Sequence, residues 1–186
     1  MTDSTPRLPG QRIPGRMRDF EKERMIRVDQ AGEFGAVQIY RGQLAVLGNR
    51  ASGAKIAHMA RQEEDHLKRF DALMNERRVR PTLLSPFWQV AGFALGAGTA
   101  LMGEKAAMAC TVAVEEVIED HYNEQADVLG GSDPELSTLI DECCADEVAH
   151  KQTALEEGAT ETPGYGLLSA MIKAGARTAI RIARRV

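Results

Sequence analysis

Aromatic residues make up only 5% of the 186-residue chain, and no segment alternates β-branched with polar side chains between turn residues. Both absences argue against a sheet, because strands draw on β-branched and aromatic residues at a period of two. Cysteine is scarce as well: Cys110, Cys143 and Cys144, with no CxxC. An odd, sparse set excludes a disulfide framework and fits a reducing compartment. Adjacent Cys143 and Cys144 point to different helix faces and are expected as core or boundary fillers rather than as ligands. The chain opens without the apolar run of a secretory signal. Residues 1–16 hold Pro6, Pro9, Gly10, Pro14 and Gly15 and read as a flexible N-terminal arm. Arg7, Arg12, Arg16 and Arg18 also give that arm a weak likeness to a transit peptide. A dinucleotide fingerprint is missing too: after Gly96-Ala97-Gly98, Leu101 stands where the third glycine belongs, and no strand precedes it. The net charge is −4, and no nucleic-acid partner is expected.

What remains is helical. A first helix over about 17–47 carries the stripe Ile26, Gln30, Glu33, Val37, Tyr40, Leu44, Leu47. Steps of four and three are a bundle seam. A second, from an N-cap at Ser52 to about Arg78, carries Ile56, Met59, Glu63, His66, Phe70, Leu73. Residues 81–103 contain no charge, yet Pro81, Pro86, Gln89 and four glycines argue against a membrane span. A helix crossing over the bundle, or lying in a membrane interface, suits them better. A third bundle helix over about 104–129 carries Met108, Thr111, Glu115, Ile118, Tyr122, Gln125, Leu129, and ends at Gly130-Gly131. The fourth starts after Ser132-Asp133-Pro134 and carries Leu136, Ile140, Cys143, Glu147, His150, Ala154. A last segment, 166–186, is amphipathic. Its basic face (Lys173, Arg177, Arg181, Arg184, Arg185) is a candidate for anionic lipid headgroups. The fold expected is all-α: a single ferritin-like four-helix bundle over 17–186, with a hydrophobic crossover helix and a C-terminal amphipathic helix.

The seams carry the chemistry. Glu63-x-x-His66 and Glu147-x-x-His150 place Glu and His on one helix face, a turn apart. Each has a lone upstream glutamate: Glu33 lies 30 residues before Glu63, and Glu115 lies 32 before Glu147. All four glutamates replace apolar residues on inward stripes, near the middle of their helices. Buried together they would repel one another and would have to hold protons. Two divalent cations remove that cost. Four carboxylates and two imidazoles, without thiolate, suit iron or manganese better than structural zinc. The expected metal ligands are therefore Glu33, Glu63, His66, Glu115, Glu147 and His150, with Glu116 and Glu119 as alternatives if the register is shifted. Asp146 is a candidate acceptor for the ring N–H of His66. Tyr122, two turns from Glu115, is either a core tyrosine or a catalytic neighbour of the metals; His58 and His121 default to surface or packing roles. The ligands alone do not separate an oxygenase from a ferritin-like iron-oxidising or iron-storage protein. The apolar 81–103 and the basic last helix favour a lipid-soluble substrate taken from a membrane surface.

Arg27-Val28-Asp29-Gln30-Ala31-Gly32-Glu33-Phe34-Gly35-Ala36, Ile39-Tyr40-Arg41-Gly42-Gln43, Glu63-x-Asp65-His66-Leu67, Gly92 through Leu101 and Ala109-Cys110-Thr111-Val112-Ala113-Val114-Glu115-Glu116 resemble the demethoxyubiquinone hydroxylase family, di-iron monooxygenases of ubiquinone biosynthesis. The resemblance runs from about Arg24 to the C-terminus. It implies O2-dependent hydroxylation of a polyprenyl methoxy-benzoquinol ring, with two iron ions on the six residues the seams select. It also implies His121 and Tyr122 as active-site neighbours, His121 toward substrate, and NADH as the external reductant. The implied location is peripheral, on the cytoplasmic face of a bacterial inner membrane or the matrix face of a mitochondrial one. A homo-oligomer or a complex with other proteins of the pathway, in eukaryotes a lipid-binding one, is a further implication.

Overall fold

The computed structural model describes residues 19–185, so the arm expected over 1–16 lies outside the described residues. Six α-helices follow in order: α1 Asp19–Leu47, α2 Gly53–Arg77, α3 Ser85–Leu101, α4 Glu104–Leu129, α5 Pro134–Glu156 and α6 Tyr165–Ala183, with a 3₁₀ turn at Ala159–Glu161. No strand occurs among the described residues.

The helix ends follow from local chemistry. Asp133 caps α5 by accepting from the Leu136 N–H at 3.2 Å, and Pro134 occupies the first turn. Gly130 closes α4 in the left-handed region at φ 48°. Ser52 holds the cap position of α2, but its hydroxyl caps nothing; its backbone N–H instead donates to Glu104 Oε2 at 2.9 Å. The serine is buried, and this bond ties the loop to α4.

Side-chain pairs fix the topology. Tyr40 reaches Glu115 and Tyr122 reaches Glu33, so α1 and α4 are antiparallel. Lys55 with Glu157, Arg69 with Glu142 and Arg77 with Asp133 make α2 and α5 antiparallel. Gln30 with Asp71 and Arg41 with Glu64 do the same for α1 and α2, and Lys151 with Glu119 for α4 and α5. Hence α2 and α4 run the same way, and the chain between them must travel back along the bundle. α3 makes that return parallel to α1. It lies very close: a Cβ on Gly96 would stand 1.9 Å from the Ile39 carbonyl oxygen, and one on Gly42 would stand 2.2 Å from that of Phe93. Two of the four glycines that weigh against a membrane span in the sequence, Gly92 and Gly96, are thus the contact surface of α3 on α1.

The core is divided. One cluster gathers Tyr40, Ile56, Met59 and Met108; the other gathers Ile26, Phe70, Tyr122, Leu136 and Ile140. The seam glutamates and histidines lie between them. α6 lies along α4 and α1, its Ile172 packed with Ile39 and its Ala183 with Val28 and Ala31.

Candidate metal centre

Each bundle helix delivers its ligand candidates at one height. Glu33, Glu63, His66, Glu115, Glu147 and His150 are all at most 2% exposed. His66 Nδ1 stands 3.5 Å from Glu33 Oε2 and 3.4 Å from Glu147 Oε1. His150 Nδ1 stands 3.0 Å from Glu63 Oε1 and 3.2 Å from Glu147 Oε2. Two overlapping sets result, Glu33–Glu63–His66–Glu147 and Glu63–Glu115–Glu147–His150, each with its ligand atoms within 4.8 Å of one another. Glu63 and Glu147 belong to both.

The electrostatics are those of a cation site. Burial raises Glu63 and Glu115 well above the ordinary carboxylate range, and the charge of Glu147 raises them further. Burial also raises Glu33, against the pull of His66. Burial alone would lift Glu147, but His150 and His66 outweigh it and hold this carboxyl down at about 2. For His66, burial opposes charge, yet the neighbouring carboxylates of Glu147 and Glu33 push it up to about 11. Protons thus stand in for positive charge. Glu33 Oε2, both oxygens of Glu63, Glu115 Oε2, Glu147 Oε1 and His66 Nδ1 are buried without a hydrogen-bond partner. Six orphaned ligand atoms in one buried cluster are compatible with bound cations.

A second ring of residues orients the first. Asp146 Oδ2 lies 2.9 Å from His66 Nε2, and Gln62 Oε1 lies 3.2 Å from His150 Nε2. Gln62 also donates to Asp146 at 3.0 Å, linking the two. With Nε2 turned to an acceptor, each imidazole presents Nδ1 to the carboxylates. Tyr40 donates to Glu115 at 2.7 Å, and Tyr122 donates to Glu33. His121 reaches no seam glutamate. It lies in a polar group of its own, 3.3 Å from Asp29 Oδ1, 2.9 Å from Gln125 Nε2 and 3.1 Å from Arg184 Nη2.

Beside this cluster α1, α3, α4 and α6 enclose a cleft of about 500 Å³. Its lining is nearly all apolar, and its polar side chains include Asp29, Glu33, His121 and Tyr122. The cleft therefore runs from the protein surface to the Glu33 end of the cluster. A family model described as Ubiquinone biosynthesis protein COQ7 matches residues 21–183. The chain belongs to the COQ7 family. A Rhodospirillum rubrum protein named 3-demethoxyubiquinol 3-hydroxylase is 53% identical over 181 residues, covering 97% of this chain and 84% of that protein. A mouse protein named NADPH-dependent 3-demethoxyubiquinone 3-hydroxylase, mitochondrial, is 52% identical over 167 residues, covering 88% of this chain and 77% of that one. The Saccharomyces cerevisiae 5-demethoxyubiquinone hydroxylase, mitochondrial, is 41% identical over 181 residues, covering 88% and 78%.

Within this COQ7 chain some expectations change. Glu116 and Glu119, the alternative ligands, point away from the cluster and pair with Lys173 and Lys151. Part of the basic face of α6, the candidate for lipid headgroups, also lies against α4. Lys173 pairs with Glu116, Arg177 with Asp120 at 3.5 Å and Arg184 with Glu124 at 3.8 Å. These cations therefore have acidic partners on α4, while the apolar contacts of Ile172 and Ala183 seat the helix on the bundle. The residues that sequence reasoning passed over are Tyr40, Gln62 and Asp29. Tyr40 was legible, being on the α1 stripe two turns from Glu33. Gln62 was not, because its place depends on how α2 faces α5.

Proposed function

We propose that the six clustered residues hold two iron ions, and that this centre carries out the O2-dependent hydroxylation of the demethoxyubiquinol ring. The chain is a hydroxylase of ubiquinone biosynthesis by family and by relatives at about half identity over most of its length. The metal, the residue roles and the surroundings of the reaction are our reading. The single observation that carries it is the buried set of orphaned carboxylate and imidazole atoms at the inner end of an apolar cleft.

When bound, a pair of irons supplies two-electron activation of O2 and transfer of one oxygen atom to an aromatic C–H position. The chain's own residues do the rest. Glu33 and His66 would hold one ion and Glu115 and His150 the other, with Glu63 and Glu147 available to both. Asp146 and Gln62 fix the two rings. The walls of α3 and α6 receive the isoprenoid tail and exclude water, which strengthens each charge inside. Tyr122, hydrogen-bonded to Glu33 and open to the cleft, is placed to hold a proton near the ring oxygen of the quinol. Deeper burial and the neighbouring Glu33 and Asp29 keep its phenol protonated. His121, held by Asp29 and Gln125, is the second polar group facing the substrate.

The expected reductant is a reduced nicotinamide; the names of the mouse and human relatives give NADPH for those proteins. No described helix is long and apolar enough to cross a membrane. Exposed Leu83, Phe87, Val90 and Phe93 on and before α3, with Leu167 and Met171 on α6, form the rim through which a quinol tail enters from a membrane surface. The mitochondrial names of the eukaryotic relatives agree with the inner-membrane setting proposed.

The test is genetic and chemical. In a strain lacking this gene, quinone extracts should accumulate the demethoxy-quinone, and restoring the gene should clear it. An extract with normal quinone content in the deletion strain would refute the assignment.

A further inference from the structure

Cys143 sits on α5 one turn before Glu147 and is fully buried. Its Sγ, a Glu33 carboxylate oxygen and a His66 ring nitrogen all lie within 4.8 Å of one another. The other two members point to a ligand independently of the thiol. Glu33 Oε2 and His66 Nδ1 are buried, 3.5 Å apart, and without hydrogen-bond partners. Around a tetrahedral ion, with metal–sulfur about 2.3 Å and metal–nitrogen about 2.0 Å, ligand atoms stand roughly 3.5 Å apart. A bound ion would have to draw the set in from within 4.8 Å to that spacing. The sequence alone treats Cys143 as a filler; only the crossing of α5 with α1 and α2 places it here.

We propose that Cys143 is a third ligand for the Glu33–His66 metal position, giving it a thiolate that selects zinc-class cations in competition with iron. This rests on the metal-centre reading above. A set of one sulfur, one nitrogen and one carboxylate oxygen suits Zn2+ or Co2+ better than an all-oxygen-and-nitrogen set does. Ligation forms one metal–sulfur bond and releases the thiol proton to solvent, with no change of oxidation state. Glu147 Oε1, 3.4 Å from His66 Nδ1, is at hand for a fourth bond. A position so filled has no open place, so zinc would idle the centre rather than support it.

Cobalt reads this directly. Full-length protein freed of metal is titrated with Co2+ and then with Zn2+ against a chromophoric chelator, alongside Cys143→Ser, Cys143→Ala and Cys144→Ser. Circular dichroism reports that each variant remains helical. The wild type and Cys144→Ser should show thiolate-to-cobalt charge-transfer absorption in the near ultraviolet, and both Cys143 variants should lack it. Zn2+ affinity should fall at least about tenfold in the Cys143 variants, no less than the loss of an outer-shell partner causes. Cobalt bound with no sulfur band, or with a band that survives Cys143→Ser, overturns this proposal and leaves the carboxylate centre standing. No cobalt binding at all overturns both.

Discussion

At the scale of single residues, burial and mutual repulsion push the carboxyls of the proposed metal centre toward protonation. Glu63 and Glu115 have folded pKa values above their ordinary ones, so the metal-free native state binds more protons than the unfolded chain from the ordinary carboxylate range upward. Its stability therefore falls as pH rises. His66, raised to about 11, acts in the same sense: its contribution is complete below its ordinary value near 6.5 and disappears as pH rises toward 11. Glu147 has the opposite sign; its contribution is present above 4.5 and is lost as pH falls through about 2. Metal loading must expel the stored protons. Titrating Mn2+ into metal-free protein in two buffers of different ionisation enthalpy should thus show proton release, with affinity rising from pH 6 to pH 8. Equal heats in both buffers would mean the carboxylates were already ionised. Of this site, the six inward residues were legible because charge on an apolar stripe is conspicuous. Asp146 was legible only because it adjoins Glu147. Gln62 was hidden, since an amide beside Glu63 on an acidic helix has no pattern to distinguish it. Its importance is testable: Asp146→Ala and Gln62→Ala should each weaken iron binding by about 10- to 100-fold with unchanged helix content, as measured by metal titration and circular dichroism.

At the scale of elements, α3 shows why composition is an ambiguous guide. An uncharged, glycine-rich run is equally a membrane-interface helix and a close-packed one. Only the register of Gly92 and Gly96 on Gly35, Gln38 and Ile39 decides how it lies. Two substitutions two residues apart separate the roles of its glycines. Gly96→Ala drives a methyl into the Ile39 carbonyl and should destabilise by about 1–3 kcal/mol. Gly98→Ala meets nothing within 4 Å and should stabilise by about 0.5–1 kcal/mol through the helix preference of alanine. Urea denaturation resolves both; equal effects would show that α3 does not seat as described. The α5 terminus is a second element-level device, and here sequence and structure coincide. Asp133 caps the helix and also pairs with Arg77 at 2.5 Å and Lys22 at 3.5 Å, which hold its carboxyl below the usual range.

For the molecule as a whole, the question is which surface would meet lipid in the membrane setting proposed. The sequence offers two candidates: the uncharged run 81–103, and a +5 C-terminal segment against a −9 remainder. In the folded chain most of that attraction is internal. Lys173, Arg177 and Arg184 face Glu116, Asp120 and Glu124 on α4, leaving Arg181 and Arg185 exposed at the end of α6. What faces outward on this side is apolar: Phe87 and Met171, which line the cleft, are 58% and 65% exposed, and Val90, on α3 with Phe87, is 70% exposed. Apolar burial is indifferent to salt, whereas attraction to anionic headgroups is screened within about 10 Å at 0.1 M ionic strength. Binding to vesicles should therefore survive added salt and depend weakly on anionic lipid content. Phe87→Asp with Val90→Asp removes about 2–4 kcal/mol of apolar contact with lipid, so vesicle affinity should drop by more than about tenfold. Lys173→Gln with Arg177→Gln should leave vesicle binding nearly intact and lower the melting temperature instead, because those cations pair with acids on α4. Co-sedimentation with neutral and anionic vesicles at low and high salt tests both arms. Binding that vanishes with salt or with the Lys173 and Arg177 changes, yet persists in the Phe87 and Val90 variant, would return the membrane face to the basic stripe and separate it from the mouth of the cleft.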